Sequence, residues 1–169
     1  MAVSVPQLVM ELRASREGLF ASIRGLSEEQ FRHTPPGESW SIAAHLAHLL
    51  RIERVYAERA RAALTEDAPL VASTGVQNDD DPGLSQKLAV PQMIHGMLNT
   101  RRDLEAVLDG CDDIGLARTI WHKSRGPMTV EAIAVKMTDH EREHARAIGL
   151  LVKQAPASAR VTIPLAWRS

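Results

Sequence analysis

An all-α fold, with four helices packed as a bundle, is predicted by three features of this 169-residue sequence. Aromatic residues make up only 4% of it and β-branched clusters are scarce, so little favours a sheet. Ala, Leu, Arg and Glu recur at helical spacing. Four segments each carry one apolar stripe and are joined by connections of very unequal length.

The first segment opens with Ser4 as N-cap and Pro6 in the first turn, and aligns Val5, Leu8, Val9, Leu12, Leu19 and Ile23 until Gly25. A short helical turn around Ser27 to Phe31 follows. The second segment starts after Pro35, Pro36 and Gly37, with Ser41 as N-cap, and keeps its period from Ile42 to about Leu64. The third runs from about Val90 to a stop at Gly110, through Met93, Met97, Leu104 and Leu108. The fourth begins at Thr129, after Gly126 and Pro127, and reaches about Gln154.

Between the second and third segments, Glu66 to about Lys87 is a polar, turn-rich run containing Asp79, Asp80, Asp81, Pro82 and Gly83. Connections of about two to eight residues join antiparallel helices, whereas one this long can carry the chain back and set its flanking helices parallel. The bundle is expected over residues 1–155. The tail, 156–169, carries Val161, Ile163, Leu165 and Trp167 and is too apolar to be left in water. It is expected to pack on its own bundle or on a partner chain.

With 20 Lys+Arg against 21 Asp+Glu the formal net charge is −1, which gives no bulk attraction to nucleic acid or anionic lipid. No apolar run approaches the roughly 18 residues of a membrane span. Glu11, Arg13, Arg16 and Glu17 occupy the stretch where a signal peptide needs an apolar core, so a cytoplasmic location is expected. Cys111 is the only cysteine, which excludes an internal disulfide and a thiolate-clustered metal site. Neither a Ser-His-Asp arrangement nor a glycine-rich phosphate loop is evident, so the seven histidines dominate the available chemistry.

Each helical residue turns the next by about 100°, which places His140 and His144 in the stripe of Val130, Ile133, Met137, Ile148 and Leu151. Two imidazoles at i and i+4 project from successive turns of one face, the spacing by which helical sites bring two nitrogens to one ion. A third inward histidine comes from His45 or His48 in the second segment, and periodicity centres that apolar face on His45. Three neutral imidazoles leave a divalent ion its full charge and an open position, as in catalytic sites. Glu53 and Glu141 fall near inward faces, where they would orient a ligand imidazole or pair with arginines. His33 and His95 read as surface residues, and Trp121 and His122 as the border of a pocket mouth.

The run Trp40-Ser41-Ile42-Ala43-Ala44-His45-Leu46-Ala47-His48-Leu49, together with His140-Glu141-Arg142-Glu143-His144 and the entry Gly126-Pro127-Met128-Thr129, resembles the DinB/YfiT-like family of metal-dependent enzymes. The resemblance spans roughly Val3 to Gln154. It implies a four-helix bundle of up-down-down-up topology, with the long connection between helices two and three. Carried over residue by residue, it implies His48, His140 and His144 as metal ligands and leaves His45 as a pocket neighbour. Ala44 stands where relatives often carry Glu, and Glu141 where they often carry Asp; neither change removes a ligand.

The resemblance further implies a divalent ion, zinc or nickel, and a hydrolase or a transferase using a low-molecular-weight thiol on a small-molecule substrate. A homodimer is expected from the apolar tail and from the family's habit. The competing reading is a non-catalytic, stress-associated binding protein with a structural or empty metal pocket. No catalytic side chain is assigned by the sequence, because neither Cys111 nor any serine has an ordered base beside it.

Overall fold

The computed structural model describes residues 3–71 and 82–157. Four long helices dominate it: α1 (Val5–Ser22), α3 (Ile42–Thr65), α5 (Val90–Asp109) and α7 (Val130–Gln154). Three short helices, α2 (Glu28–Arg32), α4 (Pro82–Lys87) and α6 (Asp113–Ala117), fill the connections.

Several of these helices start at side chains that satisfy otherwise orphaned amides, although Ser4, expected to cap α1, stands at the N-cap without a side-chain hydrogen bond, and Ala89 ahead of α5 supplies none. The Ser41 hydroxyl accepts from the Ala44 amide at 3.2 Å, so α3 is capped although Ala44 cannot complete a capping box. Thr129 caps α7 through the Ala132 amide at 3.0 Å. Ser27 and Gln30 form a reciprocal box at α2, and the Gln30 side-chain amide also donates to the Pro156 carbonyl at 2.9 Å. That bond ties the chain leaving α7 to the α1–α3 connection.

Leu12 and Leu19 of α1, Leu46 and Leu49 of α3, Met93, Met97 and Leu104 of α5, and Ile133 and Met137 of α7 are completely buried. α3 and α5 approach so closely at Gly96 that a Cβ there would lie 3.0 Å from the Leu50 side chain. On the same pair, Glu53 meets Thr100 and Arg101. Between α3 and α7, His45 meets His144 and His48 meets His140.

The purely helical expectation needs one correction. β1 (Leu70–Val71), β2 (Thr119–His122) and β3 (Gly126–Thr129) form a small sheet in the order β1-β2-β3, parallel between the first two and antiparallel between the last two. These strands are two to four residues long, too short to show a period of two, and β1 pairs with residues about fifty positions away. The β2–β3 hairpin turns through Gly126 at φ +75° and leads directly into α7. The run from Glu66 to Lys87 also holds β1 and α4; its acidic centre, residues 72–81, and the tail from 158 onward lie outside the described residues. Among the described residues no helix is long and apolar enough to cross a membrane.

Candidate metal centre

α3 and α7 bring their histidines together face to face. His48 Nε2 lies 3.0 Å from His140 Nε2, and His45 Nδ1 lies 2.7 Å from His144 Nδ1. One ring nitrogen from each of His48, His140 and His144 falls within 4.8 Å of the others. Both candidates of the second segment thus point inward. His48 joins the pair on α7 as a set able to share an ion, and His45 contacts that set through His144. The i, i+4 spacing of His140 and His144 places their rings 4.5 Å apart between centroids.

Trp40 walls the cluster, with its ring 4.9 Å from His45, 5.0 Å from His48 and 5.7 Å from His144. The sequence signalled this residue only as part of a motif. A tryptophan just ahead of the Ser41 cap sits beside the first turn of α3, where a large ring covers the inward histidines.

His48, His140 and His144 are biased toward the neutral form. Burial, followed by His140, Arg51 and His45, pushes His48 down to about 4; burial, followed by His140, His45 and His48, pushes His144 down to about 3. His140 is lowered too, by burial and Lys136, against the opposing pull of Glu143, whose carboxylate is 3.7 Å from His140 Nδ1. A neutral imidazole offers a lone pair, the form a metal requires.

An ordinary core histidine satisfies both ring nitrogens. His48 does not: its buried Nδ1 has no hydrogen-bond partner among the described residues, and its Nε2 meets only another imidazole. Zinc–nitrogen bonds of about 2.0–2.1 Å in a tetrahedron separate ligand nitrogens by about 3.3–3.4 Å, close to the His48–His140 spacing. The donor set therefore fits a divalent ion of imidazole preference.

The hydrogen bonds of Glu53 and Glu141 run to Arg16, Arg101 and Thr100 rather than to the imidazoles. Both carboxylates are completely buried and form a closed ring with two arginines that the sequence reading missed. Arg16 bonds to Glu141 at 2.5 Å and to Glu53 at 2.8 Å; Arg101 bonds to Glu53 at 2.5 Å and to Glu141 at 3.0 Å. Burial raises the Glu141 pKa, but Arg16 and Arg101 outweigh it and hold the carboxyl below its usual range. The signal was an arginine inside each apolar stripe, Arg16 after Leu12 and Arg101 after Met97, four positions on in each case.

The remaining histidines stay apart from this cluster. His95 is exposed on α5, His33 is half-buried at the end of α2, and His122 is buried on β2 beside an exposed Trp121.

The family model described as the DinB superfamily matches residues 11–148, a span that includes all four clustered histidines. No curated protein sequence matches the chain at a significant level. Among solved structures, the fold is similar to YfiT from Bacillus subtilis, described as a probable metal-dependent hydrolase with an unusual four-helix bundle topology. The match has a TM-score of 0.75 and 17% identity, and covers 89% of this chain and 86% of that one.

Proposed function

The chain belongs to the DinB superfamily, and on that premise we propose that His48, His140 and His144 hold one divalent ion, zinc or nickel, in the site of a metal-dependent enzyme. The observation that carries this reading is the convergence of three neutral imidazoles from two helices, with ligand atoms within 4.8 Å. Bound there with a position left open, such an ion supplies Lewis acidity that lowers the pKa of a water or thiol.

The chain's own residues do the rest. His45 Nδ1 faces His144 Nδ1, which fixes that ring and leaves its other nitrogen for the ion. Trp40 shields the cluster from bulk water, and the burial behind His48 and His144 keeps protons from competing at neutral pH. We favour hydrolysis, or transfer using a low-molecular-weight thiol, because the Cys111 thiol is raised by burial and by Asp112 and so is not activated; among the described residues Ser124 does have an imidazole beside it, His122 Nδ1 at 3.3 Å, a pairing the sequence did not foresee.

The bundle runs up-down-down-up in this reading. Leu50 against Gly96 and Glu53 against Thr100 rise together in sequence, which supports parallel α3 and α5. His45–His144 and His48–His140 run oppositely, as do Arg16–Met97 and Leu12–Arg101. We also propose a cytoplasmic homodimer, with the tail from 156 onward covering the bundle or its partner; a monomer mass by light scattering at micromolar concentration would refute the dimer.

The decisive experiment is metal analysis of untagged protein purified without metal-affinity resin, followed by assays on electrophilic substrates with and without low-molecular-weight thiols. About one equivalent of metal and turnover lost in His144→Ala are expected. Equal turnover by that variant would refute the mechanism, and metal without turnover in either protein would favour the binding-protein reading.

A further inference from the structure

The ring of Arg16, Glu53, Arg101 and Glu141 takes no part in the chemistry above, yet its wiring is specific. Each of the four long helices contributes one member, and all four carboxylate oxygens accept a hydrogen bond. Each guanidinium bridges both carboxylates and then reaches across to the other arginine's helix: Arg16 donates to the Met97 carbonyl at 2.5 Å, and Arg101 to the Leu12 carbonyl.

The division of labour follows the histidines. The carboxylates sit on α3 and α7, the helices that carry the three imidazoles, while the arginines come from α1 and α5, which carry none of them. Two buried carboxylates repel, so at this level α3 and α7 depend on the cations between them as well as on their direct packing. Glu141 directly follows His140 and Glu53 lies five residues beyond His48, so any change in helix spacing at the ring is carried to the imidazoles.

Resting on the metal reading above, we propose that Arg16 and Arg101 are positioning residues of the three-histidine site, setting the α3–α7 separation that brings His48 onto His140 and His144. Stability alone does not call for such a ring, since well-packed apolar residues replace buried ion networks without loss in many proteins. Nor would lysine serve: a compact ammonium cannot span two carboxylates and a carbonyl as a planar guanidinium does.

The test separates position from stability. In the apolar set Arg16→Met, Glu53→Leu, Arg101→Met and Glu141→Leu, the melting temperature is expected to equal or exceed that of the wild type, while zinc affinity, read by chelator competition, falls about tenfold or more. Arg101→Lys is expected to weaken zinc in the same direction, and it carries the test if the apolar set does not fold. Wild-type zinc affinity in either folded variant would overturn the proposal. If the wild type itself binds no zinc, the metal reading fails separately. Metal-free crystal structures then decide: the His48–His140 nitrogen spacing is expected to open beyond 3.0 Å in the variant, and an unchanged spacing would overturn the positioning role.

Discussion

Two buried polar clusters lie side by side in this bundle and are built on opposite principles. The charge ring is closed: it is neutral in sum, every carboxylate oxygen is used, and each arginine also donates to a backbone carbonyl. The histidine cluster is open: its rings meet one another, His48 keeps a buried nitrogen without a described partner, and its pKa values are driven down rather than balanced. A buried polar group costs free energy unless it is paired. The ring meets that cost internally, whereas the histidines meet it only in part, by pairing with one another, and this contrast is what separates the scaffold from the candidate site here.

The largest effect should come from breaking the closed cluster. Glu141→Leu leaves two buried guanidinium groups sharing one carboxylate, and removal of one partner from a buried ion network costs about 3–5 kcal/mol. Urea unfolding should register that loss; a cost below about 1 kcal/mol would mean that water reaches the ring and that the two clusters are less different than they look.

Next in size is the response of the open cluster to a ligand. Zinc at a hundred times its dissociation constant should stabilise the protein by about 2.7 kcal/mol through mass action, seen as a rise in melting temperature. His144→Ala should lose that rise while retaining the metal-free fold, because the alanine removes one of the three proposed ligands and leaves the ring intact. An equal rise in both proteins would place the ion elsewhere.

The pH dependence of the metal-free protein comes third. His48 and His144 are held at about 4 and about 3 in the folded state, against about 6.5 for a free imidazole. Between these values the unfolded chain binds more protons, so stability rises with pH across the window. It is fully present above about pH 6.5 and is lost as pH falls toward 4 and then 3. The urea midpoint should therefore drop on acidification from neutrality, and His48→Ala with His144→Ala should flatten that drop. A flat wild-type profile would show that the imidazoles are hydrated, not buried neutral.

How much of this was legible in the sequence depended on the range of each interaction. The helix starts at Ser41 and Thr129 were readable because a cap acts within three residues, and the His140–His144 pair because i, i+4 is a local spacing. The choice between His45 and His48 was not settled by periodicity, since both point inward where α3 meets α7. The charge ring was hidden for a related reason. A stripe shows that Arg16 and Arg101 face inward, but their partners stand 37 to 125 positions away on other helices. The parallel pairing of β1 with β2 fell to the same obstacle, compounded by strands too short to carry a pattern.

The smallest effect would sharpen the comparison at its one blurred edge. Glu143 is the acid that touches the open cluster, 3.7 Å from His140 Nδ1, but its side chain is 60% exposed, unlike the sealed carboxylates of the ring. Its charge opposes the lowering of His140, so Glu143→Gln should move the His140 midpoint further down, measured by NMR titration of the metal-free protein. Because the pair sits at the surface it should also be salt-sensitive: raising ionic strength from about 0.01 M to about 1 M shortens the Debye length from about 30 Å to about 3 Å and should shrink the difference between wild type and variant. A difference that persists undiminished in high salt would place Glu143 inside the low-dielectric site. That result would make it a built partner of His140 and a fifth polar member of the open cluster, beside the four histidines.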